Sequence, residues 1–259
     1  LPPAARGARL AGAPSAVGVH TAIVTNAEGA TEASGEDEIH RNARGDVRVR
    51  FHWQSTGEGL APSRWVRVAQ RQAGAGMGMS FVPRIGQEVL VRFLDEDIDQ
   101  PLVVGALYNG RGEGGIPSTP GGRAGEPMNT EVYAAASDGK PSAQANLASG
   151  NAPAWHGAAA GDDQHRNAAA LSGFKSKEFG GDGHNQIVFD DSDGQLRMQI
   201  KSTQAASELN LGHLIHQSGN YRGNVRGVGA ELRTDAFGAV RGGGGVLLTT
   251  YAASGSEPA

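Results

Sequence analysis

The stretch that decides the fold comprises residues 81–108 and reads FVPRIGQEVLVRFLDEDIDQPLVVGALY. Its first apolar run places Val89, Val91 and Phe93 on one face of a strand, opposite Glu88, Leu90 and Arg92. This period of two predicts a half-buried strand over 88–94. The second run, 101–108, starts with a proline, which the first position of a strand tolerates, and Gly105 indicates a bulge. With the acidic turn 95–99 between them, the two runs predict a hairpin of a β-barrel.

Three further strands are predicted upstream of this hairpin, over residues 17–26, 46–53 and 65–70. The second of them alternates cleanly and places Val47, Val49, Phe51 and Trp53 on one face. Short strands joined by long loops predict an all-β domain over 17–112, a five-stranded barrel of the OB type. Within it, the loop 83–87 is interpreted as architecture that fixes the register of the fourth strand.

The composition limits the classes of function that remain. The chain has 259 residues, 40 of them glycine, with 38% hydrophobic residues and no cysteine, which excludes disulfides and thiolate metal sites. A net charge of -4 without a long basic run gives no general attraction to nucleic acid. No apolar run approaches the roughly 18 residues of a membrane span. Residues 1–16 contain few large apolar groups and are predicted to form a linker.

A second region of unusual composition follows the barrel. Residues 113–172 are rich in Gly, Ala and Pro and follow neither hydrophobic period, so they are predicted to be an insertion or linker. The histidines in or near it, His156, His165 and His184, have no metal-ligand spacing.

Beyond residue 173 the apolar residues recur in short groups at steps of about ten, separated by Asp, Asn, Gly or Ser. Turns are predicted at Asp193-Gly194, Gly212, Gly219-Asn220, Asp235 and Gly238. Strands this short cannot bury a core alone, but stacked rungs can. Residues 173–259 are therefore predicted to form a β-helix or prism that obtains part of its interior from other copies of the chain.

No catalytic, metal or cofactor site is predicted. The acidic groups Asp190, Asp191 and Asp193 lack the downstream glutamate of a calcium loop and are expected in a turn between strands. A carboxylate pair drawn from Asp37, Glu38, Glu96 and Asp97 would fall in hydrophilic loops, where nothing separates the pKa values of acid and base. A nucleophile elbow is also absent from the sequence.

Several stretches together resemble one known family. DVRVRFHW (46–53), WVRVAQ (65–70), FVPRIGQEVLVRF (81–93) and DIDQPLVVG (97–105) resemble the OB-type domain of VgrG, the spike protein of type VI secretion. Residues 209–250 resemble the β-helical needle of long VgrG proteins, which are similar to the phage baseplate spike.

This resemblance implies a homotrimer whose three barrels lead into an intertwined β-helix. It implies a puncturing spike, without enzymatic activity in this stretch, that pierces target envelopes and carries effectors or adaptors. The implied partners are the secretion tube protein, a tip-capping protein, effectors or adaptors bound through 113–172, and, transiently, the target membrane. The implied location is the bacterial cytoplasm before firing and the target cell afterwards. The family's hub domain would precede this stretch, and the needle would continue beyond it.

One alternative stays open from the residues themselves. OB barrels also bind single-stranded nucleic acid or saccharides on a face of basic and aromatic residues. Such a face could be built from Arg48, Arg50, Arg67 and Arg92 with Trp53 or Trp65. The competing interpretation treats the arginines as outward-facing strand residues and the tryptophans as core. A peptidoglycan hydrolase, by analogy with the phage spike, is the least favoured function.

Overall fold

The computed structural model describes residues 14–33, 37–54, 63–108, 154–155, 170–181, 183–218 and 221–250. These residues form β-strands, joined by turns and short 3-10 segments. In chain order the strands are β1 (Val19–Thr25), β2 (Arg48–Phe51), β3 (Arg67–Val68), β4 (Ala73–Gly74), β5 (Met77–Gly78), β6 (Glu88–Phe93), β7 (Pro101–Leu107), β8 (Leu171–Lys175), β9 (Asn185–Asp190), β10 (Arg197–Ser202), β11 (Ser207–Ser218) and β12 (Tyr221–Arg233). Within the described ranges, no helix has the length and apolar character needed to cross a membrane.

The first sheet closes into a barrel. Its strand order is β2-β1-β6-β7-β3, with β3 parallel to β7 and the other pairs antiparallel. A pair of backbone hydrogen bonds joins the two ends of the sheet: Val47 N–H donates to Val66 O at 2.9 Å, and Val66 N–H donates to Val47 O at 2.8 Å. The result is a five-stranded Greek-key barrel, which confirms the predicted OB type.

The barrel core consists mainly of valine, whose branched side chain packs well on a pleated surface. Its members are Ala22, Val24, Val47, Val49, Phe51, Val66, Val89, Val91, Phe93 and Val103. The predicted inner face of β6 is therefore confirmed. Trp53 was expected on the same face as Phe51 but is 66% exposed. Strand β2 ends at Phe51, and a turn that Gln54 N–H closes on Phe51 O redirects the chain before the tryptophan.

The β6–β7 hairpin has the predicted form. A 3-10 turn, Leu94–Glu96, connects the strands. The register shifts by one residue beside Gly105, because Leu90 pairs with Gly105 whereas Val91 pairs with Val103. This extra residue is the bulge that the glycine indicated. Residues 73–78, between β3 and β6, form the small hairpin β4–β5.

The second sheet is an antiparallel meander in the order β12-β11-β10-β9-β8. The predicted turn at Asp193-Gly194 is present, and Gly219-Asn220 lie outside the described residues.

Gly212 is not a turn, because it lies inside the 12-residue strand β11. Its φ of +89° brings the backbone against β10, where His213 N–H donates to Leu196 O at 3.1 Å. Because Gly212 has no side chain, it permits a close approach of two strands and does not form a turn.

The short rungs predicted beyond β12 are not strands in the single chain. Asp235 N–H binds Ala205 O at 2.8 Å, which ends the sheet there. Residues 237–250, including Gly238, have no regular structure, and their apolar side chains are exposed, Leu247 by 85%. A strand needs a hydrogen-bonding neighbour, which the single chain does not provide for this segment within the described residues. The β-helix of three chains stays a prediction.

Candidate functional site: the barrel junction and the second sheet

The loop before β6 connects the barrel to the second sheet. The Arg84 guanidinium donates to Oε2 of Glu38 at 2.7 Å and to the carbonyl oxygen of Lys177 at 2.6 Å. It also lies 4.5 Å from the ring centroid of Phe179. The second Glu38 carboxylate oxygen accepts the N–H of Gly180 at 2.8 Å. Lys177, Phe179 and Gly180 belong to the segment between β8 and β9, so one ion pair joins the two sheets.

The charged side chains of this junction are buried and hydrogen-bonded. Glu38 is fully buried and the Arg84 side chain is 15% exposed. The loop itself is anchored to the barrel, since Ile85 N–H donates to Glu38 O and Gly86 N–H donates to Val24 O, both at 2.9 Å. A buried charge is stable only when it is paired and hydrogen-bonded, and Glu38 meets both conditions. This arrangement holds the segment between β8 and β9 against the barrel, and both carboxylate oxygens of Glu38 accept hydrogen bonds within it.

One face of the second sheet is apolar and exposed. The paired residues across its five strands form a continuous row: Phe174, Ile187, Ile200, Leu209 and Leu232. Phe174 is 53% exposed and Leu232 is 75% exposed. A parallel row contains Phe189, Met198 and Leu211. A continuous apolar surface of this kind is typical of a protein interface.

The opposite face is polar and largely buried. Gln186 donates to Gln199 at 2.7 Å, and Gln199 donates to Glu208 at 2.8 Å and to Asn210 at 3.0 Å. At the end of β9, Asp190 faces Arg197 at 3.4 Å, with both side chains fully buried. The side chains of Gln186, Gln199, Glu208 and Asn210 thus form one hydrogen-bonded network across three strands, as is usual for buried polar groups.

Two ionisable groups on this face titrate abnormally. Hydrogen bonding by Arg226 lowers the pKa of Glu231 to about 2. Burial, together with the nearby charge of Lys201, lowers the pKa of Lys175 to about 8. The sequence interpretation did not single out any of these four residues. Polar and apolar residues alternate with a period of two in β10, but this alternation was interpreted only as evidence that the apolar residues lie in the interior.

The acidic candidates from the sequence have structural roles. A turn between strands was expected at Asp190, which is instead the buried last residue of β9, and its Oδ1 accepts the Ser192 hydroxyl at 2.6 Å. Glu38 is likewise buried in the junction and does not lie in a hydrophilic loop. Asp97 accepts the N–H of Asp99 at 3.0 Å and so shapes the β6–β7 turn. No group of three or more potential metal ligands occurs among the described residues, which exclude His156 and His165.

The basic and aromatic residues of the alternative binding face do not form one surface for a ligand. Arg48 stacks on Trp65 at 4.7 Å and contacts Ala27 O, while Arg50 contacts Gly29 O, each at 3.5 Å. Trp53 stacks on Phe51, with ring centroids 5.1 Å apart. The two arginines thus hold the loop after β1, which weakens the case for nucleic acid or saccharide binding.

Comparison with known proteins gives matches over both sheets. The family model described as the type VI secretion system/phage-baseplate injector OB domain matches residues 36–108, and that of the type VI secretion system Rhs element Vgr matches residues 177–258. The type VI secretion system spike protein VgrG2a of Pseudomonas aeruginosa is 35% identical over 215 residues, which are 83% of this chain and 20% of that protein. The chain belongs to the VgrG family.

Two shorter matches are also to VgrG proteins. The spike protein VgrG4b of P. aeruginosa is 46% identical over 97 residues, covering 37% of this chain and 11% of that protein. The actin cross-linking toxin VgrG1 of Vibrio cholerae is 42% identical over 74 residues, covering 28% of this chain and 7% of that protein. The chain spans only about a fifth of the length of VgrG2a. The matches therefore concern only a part of each of these proteins.

Proposed function

We propose that this chain is a structural part of a type VI secretion spike, in which the barrel carries the start of a trimeric β-helical needle. The observation that carries the proposal is the apolar face of the second sheet, with Phe174, Ile200 and Leu232 exposed. A chain that leaves such a face exposed gains free energy by burying it against copies of itself. The relatives named as spike proteins support the same role.

The mechanism proposed for the spike is mechanical. In a β-helix of three intertwined chains, strands of one chain complete the sheets of another, so few edges stay free and no strand unfolds separately. The exposed segment 237–250 would then gain the neighbours that a single chain lacks. The junction of Glu38 and Arg84 would transmit axial load between the barrel and the needle, because it joins the two sheets through short, buried hydrogen bonds.

The partners and location follow from this role and from the family. The proposed partners are a second and third copy of this chain, the secretion tube protein, a tip-capping protein, and effectors or adaptors. The insertion 113–172 is the candidate site for effectors, because loops on rigid scaffolds vary and recognise partners. The division into linker 1–16, barrel 17–112, insertion 113–172 and needle 173–259 is part of the proposal. In this arrangement the chain is not an enzyme, and it is delivered from the bacterial cytoplasm into the target cell.

The solution mass tests the proposal. Sedimentation equilibrium of the 26.7 kDa chain is expected to give three times that mass over a range of concentrations. A monomer at every concentration would contradict the spike assignment. The effector site has a separate test, in which deletion of 113–170 is expected to abolish co-purification of effectors without changing the trimer. Retention of every co-purifying effector would remove the insertion from the proposal.

A further inference from the structure

A row of charged residues crosses the polar face of the second sheet at its barrel-proximal end. The paired residues, one from each of the five strands, are Lys175, Gln186, Lys201, Glu208 and Arg233. Directly paired residues point to the same side of a sheet, so these side chains share one face. The row contains three cations and one anion.

The available carboxylates near this row are already engaged by arginine. Arg233 forms an ion pair with Oε1 of Glu208, whose Oε2 accepts Gln199 at 2.8 Å. The neighbouring carboxylate, Glu231, accepts two hydrogen bonds from Arg226, at 2.7 and 2.5 Å. Each arginine thus has its own carboxylate, and the remaining positive charge lies on the two lysines.

Neither lysine is well neutralised. Lys201 Nζ lies 3.8 Å from Oε2 of Glu208, beyond hydrogen-bond distance, and its side chain is 18% exposed. The Lys175 ammonium group forms no hydrogen bond or ion pair within the part of the chain that the structure describes. Burial and the charge of Lys201 lower its pKa to about 8, so it still carries a proton at neutral pH. Two partly buried ammonium groups therefore lie on one face of the sheet, where their repulsion is screened less than in bulk water.

Space for a ligand is present beside them. Lys175 and Lys201 both line a cleft of about 1280 Å³ between the barrel and the second sheet, and the apolar row from Phe174 to Leu232 lines the same cleft. Their strands are two apart, which separates the backbones by about 9.5 Å. Two flexible lysine side chains can converge from that separation on one ion, and an anion with two negative charges would neutralise both.

We propose that Lys175 and Lys201 form a binding site for a small tetrahedral oxyanion of the phosphate type. The site recognises charge and size, with one ammonium group on either side of the ion. It is independent of the role of the chain in a spike, because every residue that forms it belongs to one chain. A bound oxyanion would join β8 to β10 and would stabilise the sheet where it meets the barrel.

Isothermal titration of the full chain with inorganic phosphate, at constant ionic strength in chloride, tests this site. Saturable binding to the wild type is expected, and Lys175→Gln and Lys201→Gln are each expected to weaken it at least about tenfold, since a charge-assisted hydrogen bond is lost. Arg71→Gln, which removes an exposed charge outside the second sheet, is the matched control and should leave the affinity unchanged. Absence of saturable binding, or equal affinity in the lysine variants and the wild type, would overturn the proposal.

A labelling experiment on the wild type keeps the proposal testable if a lysine variant fails to fold. Acetylation of the full chain is followed residue by residue with mass spectrometry, with and without phosphate. Phosphate is expected to protect Lys175 and Lys201 at least about tenfold, in proportion to site occupancy. It should not protect Lys177, whose ammonium group donates to Gly181 O at 2.7 Å. Equal protection of all three lysines, or of none, would contradict a specific site.

Discussion

Arg84 and Glu38 form a buried ion pair with a 2.7 Å hydrogen bond, although they are 46 positions apart and only one of them lies in the loop that precedes β6. The pair belongs to the barrel, yet its remaining hydrogen bonds go to Lys177 O and Gly180 N–H at the second sheet. One charge pair therefore helps to hold the second sheet against the barrel, together with the stacking of Phe81 on Phe174.

Arg84→Ala is expected to destabilise the chain by about 3–5 kcal/mol, because it leaves the Glu38 carboxylate buried without its cation. The free energy of urea unfolding at fixed protein concentration measures the effect. Arg64→Ala is the matched control, since Arg64 and Asp99 are 65% and 81% exposed and such a surface pair contributes at most about 1 kcal/mol. The junction would lose its assigned role if the two alanine variants were equally stable.

Ile200→Asp is expected to convert the trimer into monomers without unfolding the chain. Ile200 lies in the middle strand of the apolar row, and it is exposed in the single chain but would be buried in an assembly. A carboxylate placed there must then lose its hydration, which opposes association. Sedimentation equilibrium measures the mass, and circular dichroism reports whether the strands remain.

The control for this prediction is Gln204→Asp, which adds the same charge at an exposed position in the turn between β10 and β11. It is expected to remain trimeric. If both variants assembled like the wild type, the apolar face would not be the surface through which copies associate.

Gly212→Ala is expected to destabilise the second sheet more than Gly229→Ala, by about 2 kcal/mol. The two glycines are cross-strand partners in β11 and β12, and both have positive φ values, +89° and +145°. A Cβ on Gly212 would collide with the carbonyl oxygen of Leu196, whereas a Cβ on Gly229 would meet nothing within 4 Å. Positive φ strains alanine in both variants, whereas the collision is added at Gly212 alone. Equal values would exclude close approach as the reason for Gly212.

The barrel was predictable from the sequence because local alternation decides its core. Val89, Val91 and Phe93 repeat at period two, and in a closed barrel one face of each strand must point inward. Glu88 shows the limit of this reasoning. It lies on the outer face but is buried, and His52, 36 positions earlier in the chain, lies 3.4 Å from its carboxylate. Contacts between distant segments leave no trace in the period of one strand.

The second sheet was less predictable for a different physical reason. Alternation indicates which residues share one face of a strand, but it does not indicate which of the two faces is covered. The sequence interpretation placed Ile187 and Ile200 inside, whereas the single chain buries Gln199 and Asn210 and exposes the isoleucines. The interpretation of Gly212 as a turn failed similarly, since positive φ serves turns and close strand contacts alike. Among the described residues nothing covers the apolar side, and the alternation of a strand carries no information about what does.

Stability at acid pH is expected to depend on Glu231. Hydrogen bonds from Arg226 lower its pKa from 4.5 to about 2 in the folded chain, so the folded state binds this proton less readily than the unfolded state. Its contribution is therefore fully present above about pH 4.5 and is lost as the pH falls towards 2. The measurement compares the unfolding free energy of the wild type and Glu231→Gln from pH 2 to 7. The variant is expected to be less stable at pH 7 and to converge with the wild type at the acid end.

Glu28→Gln, in the exposed loop after β1, is the control that should follow the wild type throughout. A gap between Glu231→Gln and the wild type that stayed constant over this range would show that the Arg226 contact stabilises the chain independently of the carboxylate charge.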